Sequence, residues 1–394
     1  MDKKRQFLKA AIAALISPVG FVNQATLAGS RIQPHRRLVM VELAGANDGL
    51  NTLVPFTNDF YYRLRPTLGL RESQLIKLDN EQAMHSSLQP LQALWNAGEL
   101  AWVQGLGYPK PNRSHFQSIA LWETAGDGIS KRGDRGWLTH AIEHQLARNV
   151  IDPHGISLAG DLSIFASSSG RWLSIANGNQ LPKSSFGLPS ARNVDHPALA
   201  VVQSRTQTLN ATLSLLAEKM ASVPEVPRFK GGSFGEQLRQ VAMFIAAGID
   251  TPVYRVRLDG FDTHDQQLGR HDRLLTTLAD GLGSFTKALK SMGEWNNTLT
   301  MSYSEFGRRA AENRSAGTDH GTAAPHVLLG GAVRGGVYGS MPDLSELVDG
   351  DPAHTMDYRA LYRAVLSQGL GIADSSDSLA GFADSRLTGI VRSV

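Results

Sequence analysis

The sequence predicts an α/β fold whose central sheet is mostly parallel, doubly wound and flanked by helices. Short apolar runs that end in Gly, Asn or Asp clusters alternate with amphipathic segments at both ends of the chain. This alternation is typical of strands joined by crossover helices. The 394 residues are 42% hydrophobic and 19% charged, which fits an ordinary globular protein and excludes a disordered, collagen-like or coiled-coil chain.

Strands are predicted where apolar residues run together between turn signals. The first run, Leu38–Leu43, contains a single Glu, and such a run is typical of a parallel strand buried on both faces. The predicted strands are Leu38–Leu43, Leu100–Leu106, Leu162–Ala166, Pro252–Leu258, Asn297–Ser304, Val327–Leu329 and Gly336–Tyr338.

Helices are predicted where apolar residues recur at helical spacing. They are Leu88–Ala97, a stretch from about His115 to Thr124, a short segment near 136–146, Ser204–Met220, Gly235–Ala247, Gln267–Met292 and Asp357–Leu370. The region 130–235 mixes short elements with Gly, Ser and Pro turns. We therefore interpret it as an inserted cap within one domain that spans residues 29–394.

The first 28 residues have the layout of a secretory signal peptide. A basic start containing Lys4-Arg5 precedes an apolar stretch, Ala10–Val22, and Thr26-Leu27-Ala28 offers small residues for cleavage. The apolar stretch is too short to span a bilayer comfortably. Lys4–Lys9 also resembles the twin-arginine export motif, with a lysine in place of its first arginine. We expect a periplasmic or secreted protein without stable membrane insertion after the signal is removed.

Charge and cysteine content narrow the function classes. The net charge of +3 comes from residues 1–28, which hold four basic residues and one acid and leave 35 of each sign in the remainder. The absence of net charge and of a stripe of basic residues argues against nucleic-acid binding. The absence of cysteine excludes disulfides, thiolate metal sites and a thiol nucleophile.

Polar residues follow four of the predicted strands. The first strand leads to Asp48, the second to Ser114 and His115, a later one to Asp262 and His264, and the last of the four to the segment 305–321. The carboxyl ends of parallel strands meet at one edge of a sheet, where ligands bind. Asp and His side chains suit Zn²⁺, Mn²⁺ or Ca²⁺. The sequence therefore predicts a divalent-metal site of unknown metal number at this edge.

Several ordered blocks resemble a known family. They are Gly45–Asn51, Tyr61–Pro66, Asn112–Phe116 with Trp122–Thr124, Phe261–His264, Ser304–Arg308, and Gly317–Gly321 with Gly330-Gly331. Together they resemble the family of exported bacterial proteins called domain of unknown function 1501, from about residue 36 to the C-terminus. That family is grouped with the alkaline phosphatase and sulfatase superfamily. The resemblance implies an alkaline phosphatase-like core with one or two metals at the strand ends.

The resemblance also implies roles for individual residues. Asp48 matches a metal-binding Asp, and Ser114 matches a nucleophile at a helix N-terminus. Asp262 matches a ligand whose His partner is four residues away in the superfamily, whereas this chain has His264 two residues away. Two assignments of the remaining ligands stay open. Either Glu305 replaces the next Asp and His320 is the final His, or Asp319-His320 is the pair and His326 is the final ligand.

The function hypothesis is an exported metal-dependent hydrolase of phosphate or sulfate esters, acting on a small molecule or a polysaccharide. Ser114 would attack the ester, Arg113 would bind a substrate oxygen, and His115 would serve as an acid or as a supporting residue. The predicted metal ligands are Asp48, Asp262, His264, Glu305, Asp319, His320 and His326.

Two alternatives remain. A non-catalytic exported protein would keep the fold and a structural metal, and would bind a polysaccharide or a protein partner. An esterase that pairs Ser114 with His115 is disfavoured, because adjacent side chains diverge at the start of a helix. The sequence does not determine the oligomeric state.

Overall fold

The computed structural model describes residues 36–129, 135–143, 152–167, 170–175, 197–372, 379, 382 and 387–392. The predicted signal peptide at 1–28 lies outside these residues, as does much of the first half of the segment 130–235. The signal, the single domain and the inserted cap therefore stay predictions.

A mostly parallel sheet forms the centre of the described structure. Within the described residues it has nine strands, and eight of them follow the order β11-β5-β10-β9-β1-β8-β6-β7, with β14 also paired to β5. The strands are β1 Arg37–Ala44, β5 Leu100–Gly107, β6 Gly155–Ser157, β7 Trp172–Ser174, β8 Val253–Asp259, β9 Thr298–Tyr303, β10 Ala324–Leu329, β11 Gly336–Tyr338 and β14 Met356–Asp357.

Two smaller sheets complete the strand pairing of the described residues. One joins β2 Leu53–Val54, β4 Ala83–His85 and β3 Leu75–Lys77, and the other joins β12 Leu347–Val348 to β13 Asp351–Pro352. The α-helices are α1 Asp59–Leu64, α2 Gln92–Asn96, α3 His115–Thr124, α4 Trp137–Glu143, α5 Pro197–Met220, α6 Gly232–Ala246, α7 Gln267–Met292 and α8 Arg359–Ala364. Within the described part of the chain, no helix has the length and apolarity needed to cross a bilayer.

The predicted fold class is confirmed, and several local predictions differ. The helix predicted from Leu88 begins as the 3-10 helix Ser86–Leu91, which contains Pro90 and therefore lacks one backbone donor. Leu162–Ala166 is wrong as a strand, since Ser163–Phe165 is a 3-10 turn that buries its apolar side chains without joining a sheet. The last predicted helix starts at Arg359 and ends in a π-helical turn, Val365–Gly369.

Hydrophobic side chains cover both faces of the sheet. Val39 and Val41 of β1 belong to one core cluster with residues of α6 and α7. Leu38 and Met40 of the same strand belong to a second cluster that includes α3 and α8. This alternation follows from the two-residue period of a strand, and it explains why β1 is apolar on both faces.

The topology brings four strand ends to one edge of the sheet. β1 pairs in parallel with both β8 and β9. β5 runs in the same direction, because β10 lies between β5 and β9 and is antiparallel to each. The residues that follow β1, β5, β8 and β9 therefore leave the sheet on the same side, as the parallel arrangement predicts.

His326 lies on β10 inside this core and away from solvent. Its side chain is buried, and neither ring nitrogen has a hydrogen-bond partner among the described residues. The edge of the Trp122 ring contacts it, with centroids 5.2 Å apart. Burial lowers the pKa of His326 to about 3, so the folded protein holds this imidazole in its neutral form.

We expect His326 to make the fold acid-labile. Because its pKa is lower in the folded than in the unfolded chain, stability is fully present above pH 6.5 and is lost as pH falls toward 3. Between pH 7 and pH 5 this one group removes about 2 kcal/mol from the free energy of unfolding. Urea unfolding at both pH values should show that His326→Leu loses about 2 kcal/mol less than the wild type.

A matched control is Thr300→Val. Thr300 is also buried and its hydroxyl also lacks a partner among the described residues, but it does not titrate. Its substitution should shift stability equally at both pH values. Parallel pH dependences for the wild type and His326→Leu would contradict the assignment.

Candidate metal centre

Arg308 ties together the loops that follow β1, β8 and β9. Its guanidinium is fully buried and donates to groups on all three loops. Its partners are the carbonyls of Gly45, Ala46 (2.8 Å), Phe261 (3.1 Å) and Thr318 (2.9 Å), and the Asp262 carboxylate at 2.6 Å. A buried guanidinium is stable only when its donors are paired, so the three loops and Arg308 hold one another in place.

Close backbone contact between two of these loops explains Gly45. Its φ is +107°, a conformation that side chains rarely adopt, and a Cβ atom there would lie 2.4 Å from the Asp262 nitrogen. Glycine therefore allows the β1 loop to approach the β8 loop. This approach fixes the backbone position of Asp262.

Three imidazoles converge on Asp262. The Nε2 atom of His320 lies 3.0 Å from that of His115 and 2.9 Å from that of His264. Asp262 Oδ1 is 3.0 Å from His264 Nε2 and 3.2 Å from His320 Nε2, and Asp262 Oδ2 is 3.6 Å from His115 Nε2. His115, Asp262 and His320 have ligand atoms close enough to share one metal ion, and His264 adjoins them.

Each imidazole is oriented through its other nitrogen. His115 Nδ1 lies 2.6 Å from Glu305 Oε1, His264 Nδ1 3.2 Å from Asp319 Oδ1, and His320 Nδ1 2.9 Å from the Arg113 carbonyl. These oxygens only accept hydrogen bonds, so a proton on Nδ1 completes each contact and leaves the Nε2 lone pair free for a metal. Metal-binding histidines are characteristically oriented in this way.

The two central carboxylates are ionised at neutral pH. Partial burial raises the pKa of Asp262, but the hydrogen bond and charge of Arg308 outweigh burial and hold that pKa at about 2. Burial likewise raises the pKa of Glu305, but hydrogen bonds from His115 and the Gly45 backbone bring it below its ordinary value. Glu305 in turn raises the pKa of His115, whereas burial lowers that of His320.

Asp48 lies apart from the imidazoles. Arg65 binds both of its oxygens, at 2.6 and 2.9 Å, and both side chains are buried. Gln267 donates a further hydrogen bond to Asp48. Burial raises the pKa of Asp48, but Arg65 outweighs this and lowers it. Both oxygens of Asp48, which the sequence analysis expected to bind a metal, are therefore paired with a guanidinium.

The other predicted ligands divide into supporting and remote residues. Glu305 accepts from His115 and the Gly45 nitrogen through Oε1 and from the Ser304 hydroxyl through Oε2, so it orients His115. Asp319 orients His264 and accepts from Asn313. His326 lies in the core described above. Both open assignments include His320, whose Nε2 atom lies between those of His115 and His264.

Ser114 and Arg113 lie immediately before His115. Ser114 is the exposed N-cap residue of α3, and its hydroxyl makes no hydrogen bond with any described residue. The Arg113 side chain is 37% exposed and pairs with Asp351. Asp262 and His264 follow the end of β8 at Asp259, so a loop rather than a strand presents them.

Sequence reasoning missed Arg65 and Arg308 as parts of the site. Both occur in quoted family blocks, Tyr61–Pro66 and Ser304–Arg308. Their position within these blocks was the only sign of their importance in the sequence, because the neighbouring residues do not distinguish a buried arginine from a surface arginine. Both are fully buried in the structure.

The family resemblance is confirmed over part of the chain. The family model described as "Protein of unknown function (DUF1501)" matches residues 187–369. The chain resembles this family. The match includes the segments that carry Asp262, His264, Glu305 and His320 and stops short of the segments with Asp48 and His115. No curated protein matches the chain in sequence.

Solved structures similar to this chain include proteins of three descriptions. The Ps i-CgsB complex with k-i-k-neocarrahexaose is 9% identical in sequence, and the match covers 89% of this chain and 75% of the Ps i-CgsB chain, with a TM-score of 0.40. An alkaline phosphatase superfamily protein from Vibrio parahaemolyticus has 10% identity, 87% and 72% coverage, and a TM-score of 0.34. The lipoteichoic acid synthase LtaP from Listeria monocytogenes has 12% identity, 83% and 78% coverage, and a TM-score of 0.34.

We expect Arg308→Met to destabilise the fold by about 3–5 kcal/mol, because it leaves Asp262 and the loop carbonyls without their buried donor. Arg63→Met is the matched control, since Arg63 is 67% exposed and its ion pair with Asp59 spans 3.7 Å. Urea unfolding of the three proteins measures the difference. Equal losses in both variants would show that Arg308 does not hold the loops.

Proposed function

We propose that this protein is an exported metal-dependent hydrolase of phosphate or sulfate esters. The observation that carries the proposal is the convergence of three imidazole Nε2 atoms on the Asp262 carboxylate. Unprotonated nitrogens about 3 Å apart repel one another, and a cation bound between them and the carboxylate removes this repulsion. The three oxygens that accept hydrogen bonds from Nδ1 leave the Nε2 atoms available for that cation.

The donor set indicates which metals fit. His115, His264, His320 and Asp262 offer three imidazole nitrogens and one carboxylate. Zn²⁺ and Mn²⁺ accept such mixed ligands, whereas Ca²⁺ prefers oxygen. When bound, such an ion lowers the pKa of a coordinated hydroxyl or water and stabilises negative charge.

Charges around the cluster support an anionic substrate. Four carboxylates and three guanidiniums surround the cluster, and their charges sum to −1 when the imidazoles are neutral. The carboxylates are Asp262, Glu305, Asp319 and Asp351, and the guanidiniums are Arg113, Arg308 and Arg309. A divalent ion reverses this balance to one positive charge. The site then attracts a phosphate or sulfate ester.

Ser114 is the proposed nucleophile. Its exposed hydroxyl precedes His115 by one residue and starts α3, where the helix dipole favours an alkoxide. Arg113 is the proposed partner for a substrate oxygen. Both nitrogens of His115 already face the cluster or Glu305, so we assign His115 to metal binding rather than to proton transfer.

A non-catalytic protein with a structural metal is the second candidate. The observation that favours it is that three imidazoles and one carboxylate would together supply four ligands, the number that a closed zinc site uses. Structural zinc sites are closed in this way, whereas catalytic sites keep one position open. Metal binding without ester turnover would select this candidate.

We expect the purified mature chain to bind one divalent ion per chain and to hydrolyse members of a phosphate- and sulfate-ester panel. His320→Ala should weaken metal binding by at least about 100-fold, since even supporting residues contribute about 10–100-fold. His140→Ala, in α4, is the matched control and should bind metal as the wild type does. Metal analysis and calorimetric titration measure both. A wild-type chain without bound metal would exclude the proposal.

We expect Ser114→Ala to lower kcat by about 10³-fold or more, because the nucleophile acts only in the chemical step. Metal content should stay at the wild-type value. Ser204→Ala, on an exposed position of α5, is the matched control and should keep full activity. Steady-state kinetics with the best ester of the panel test this, and undiminished turnover by Ser114→Ala would exclude Ser114 as the nucleophile.

A further inference from the structure

Two arginines share one buried carboxylate at the rim of the imidazole cluster. Arg113 pairs with Asp351 Oδ2, and Arg309 Nε lies 3.7 Å from Asp351 Oδ1. The Asp351 side chain is only 1% exposed, whereas the Arg113 and Arg309 side chains are 37% and 39% exposed. The carboxylate therefore lies beneath two guanidiniums that reach solvent.

The backbone connects both arginines to the proposed metal ligands. The Arg113 carbonyl accepts the hydrogen bond from His320 Nδ1, at 2.9 Å. The Arg309 nitrogen donates to the Asp319 carbonyl at 3.0 Å, and Arg308 forms a β-bridge with His320. These contacts fix the positions from which the two guanidiniums extend beside the cluster.

A tight hairpin presents Asp351. β12 and β13 are antiparallel, with Val348 opposite Asp351. The two turn residues, Asp349 and Gly350, have φ of 53° and 83°, as a two-residue hairpin turn of the favoured twist requires. Asp351 is thus held by local backbone geometry as well as by its charge partners.

Like charges held side by side are unfavourable unless something compensates them. Asp351 compensates one of the two guanidinium charges and leaves one positive charge at the exposed side. Guanidinium groups bind oxyanions through paired N–H donors.

We propose that Arg113 and Arg309, supported by Asp351, form an oxyanion-binding subsite beside the metal cluster. Resting on the proposed function, this subsite defines the substrate class as esters that carry a second anionic group next to the one that is cleaved. Arg309 is the new specificity-determining residue. Arg308, its neighbour in sequence, is buried on Asp262 and takes no part.

Equilibrium dialysis with radiolabelled inorganic sulfate tests the subsite on the full mature chain in a chelating buffer, with chloride keeping ionic strength constant. The wild type should show one saturable sulfate site. Arg309→Gln should weaken sulfate binding about tenfold, and Arg309→Lys, which keeps the charge but loses the planar donor pair, should fall between the two. Arg63→Gln, an exposed arginine of α1, is the matched control and should bind as the wild type does.

Absence of saturable sulfate binding by the wild type, or wild-type affinity in Arg309→Gln, would overturn the subsite. Because the chelating buffer removes metal and no turnover is measured, this result is independent of whether the chain hydrolyses esters. Circular dichroism of each variant confirms that it is folded. If Arg309→Gln fails to fold, the comparison of Arg309→Lys with the wild type decides, and equal affinity overturns the proposal.

Discussion

The fully buried guanidinium of Arg308 is the constraint on which the candidate site depends. It binds carbonyls that follow β1, β8 and β9 and the Asp262 carboxylate. The sheet brings these strand ends to one edge, but it does not specify how the loops beyond them meet. Arg308 does so through directional hydrogen bonds, and Gly45 allows the close approach that those bonds need.

Two acids of the site, Asp48 and Asp262, lie in different surroundings. Asp48 and Asp262 are each bound by a buried arginine, yet only Asp262 also faces the imidazoles. Glu305, Asp319 and the Arg113 carbonyl each contact the Nδ1 atom of one of the rings. Their effect is to determine which nitrogen of each imidazole bears the proton, and hence whether a lone pair faces the centre.

Much of the fold was predictable because it rests on strand and helix periodicity. The bounds of α7 match the predicted Gln267–Met292, and the parallel strand ends place His264 and His320 together as expected.

The separation of Asp48 from the imidazoles was not predictable, because it depends on the three-dimensional position of Arg65, the C-cap residue of α1. His115 was expected to serve as an acid or as a supporting residue. The position of the His115 ring beside the His320 ring depends on how α3 packs against the loop after β9, and local sequence spacing does not specify this packing.

The Arg65–Asp48 pair has a consequence for how the protein responds to its surroundings. Arg65 is a countercharge attached covalently to the chain, so dilution or chelation cannot remove it. The β1 loop around Asp48 therefore keeps its charge balance whether or not a metal is bound, whereas under the proposed function the charge of the imidazole cluster depends on the metal. A permanent positive charge thus lies beside the proposed metal site at one sheet edge, and under the proposed function only the metal site would change its charge with metal supply.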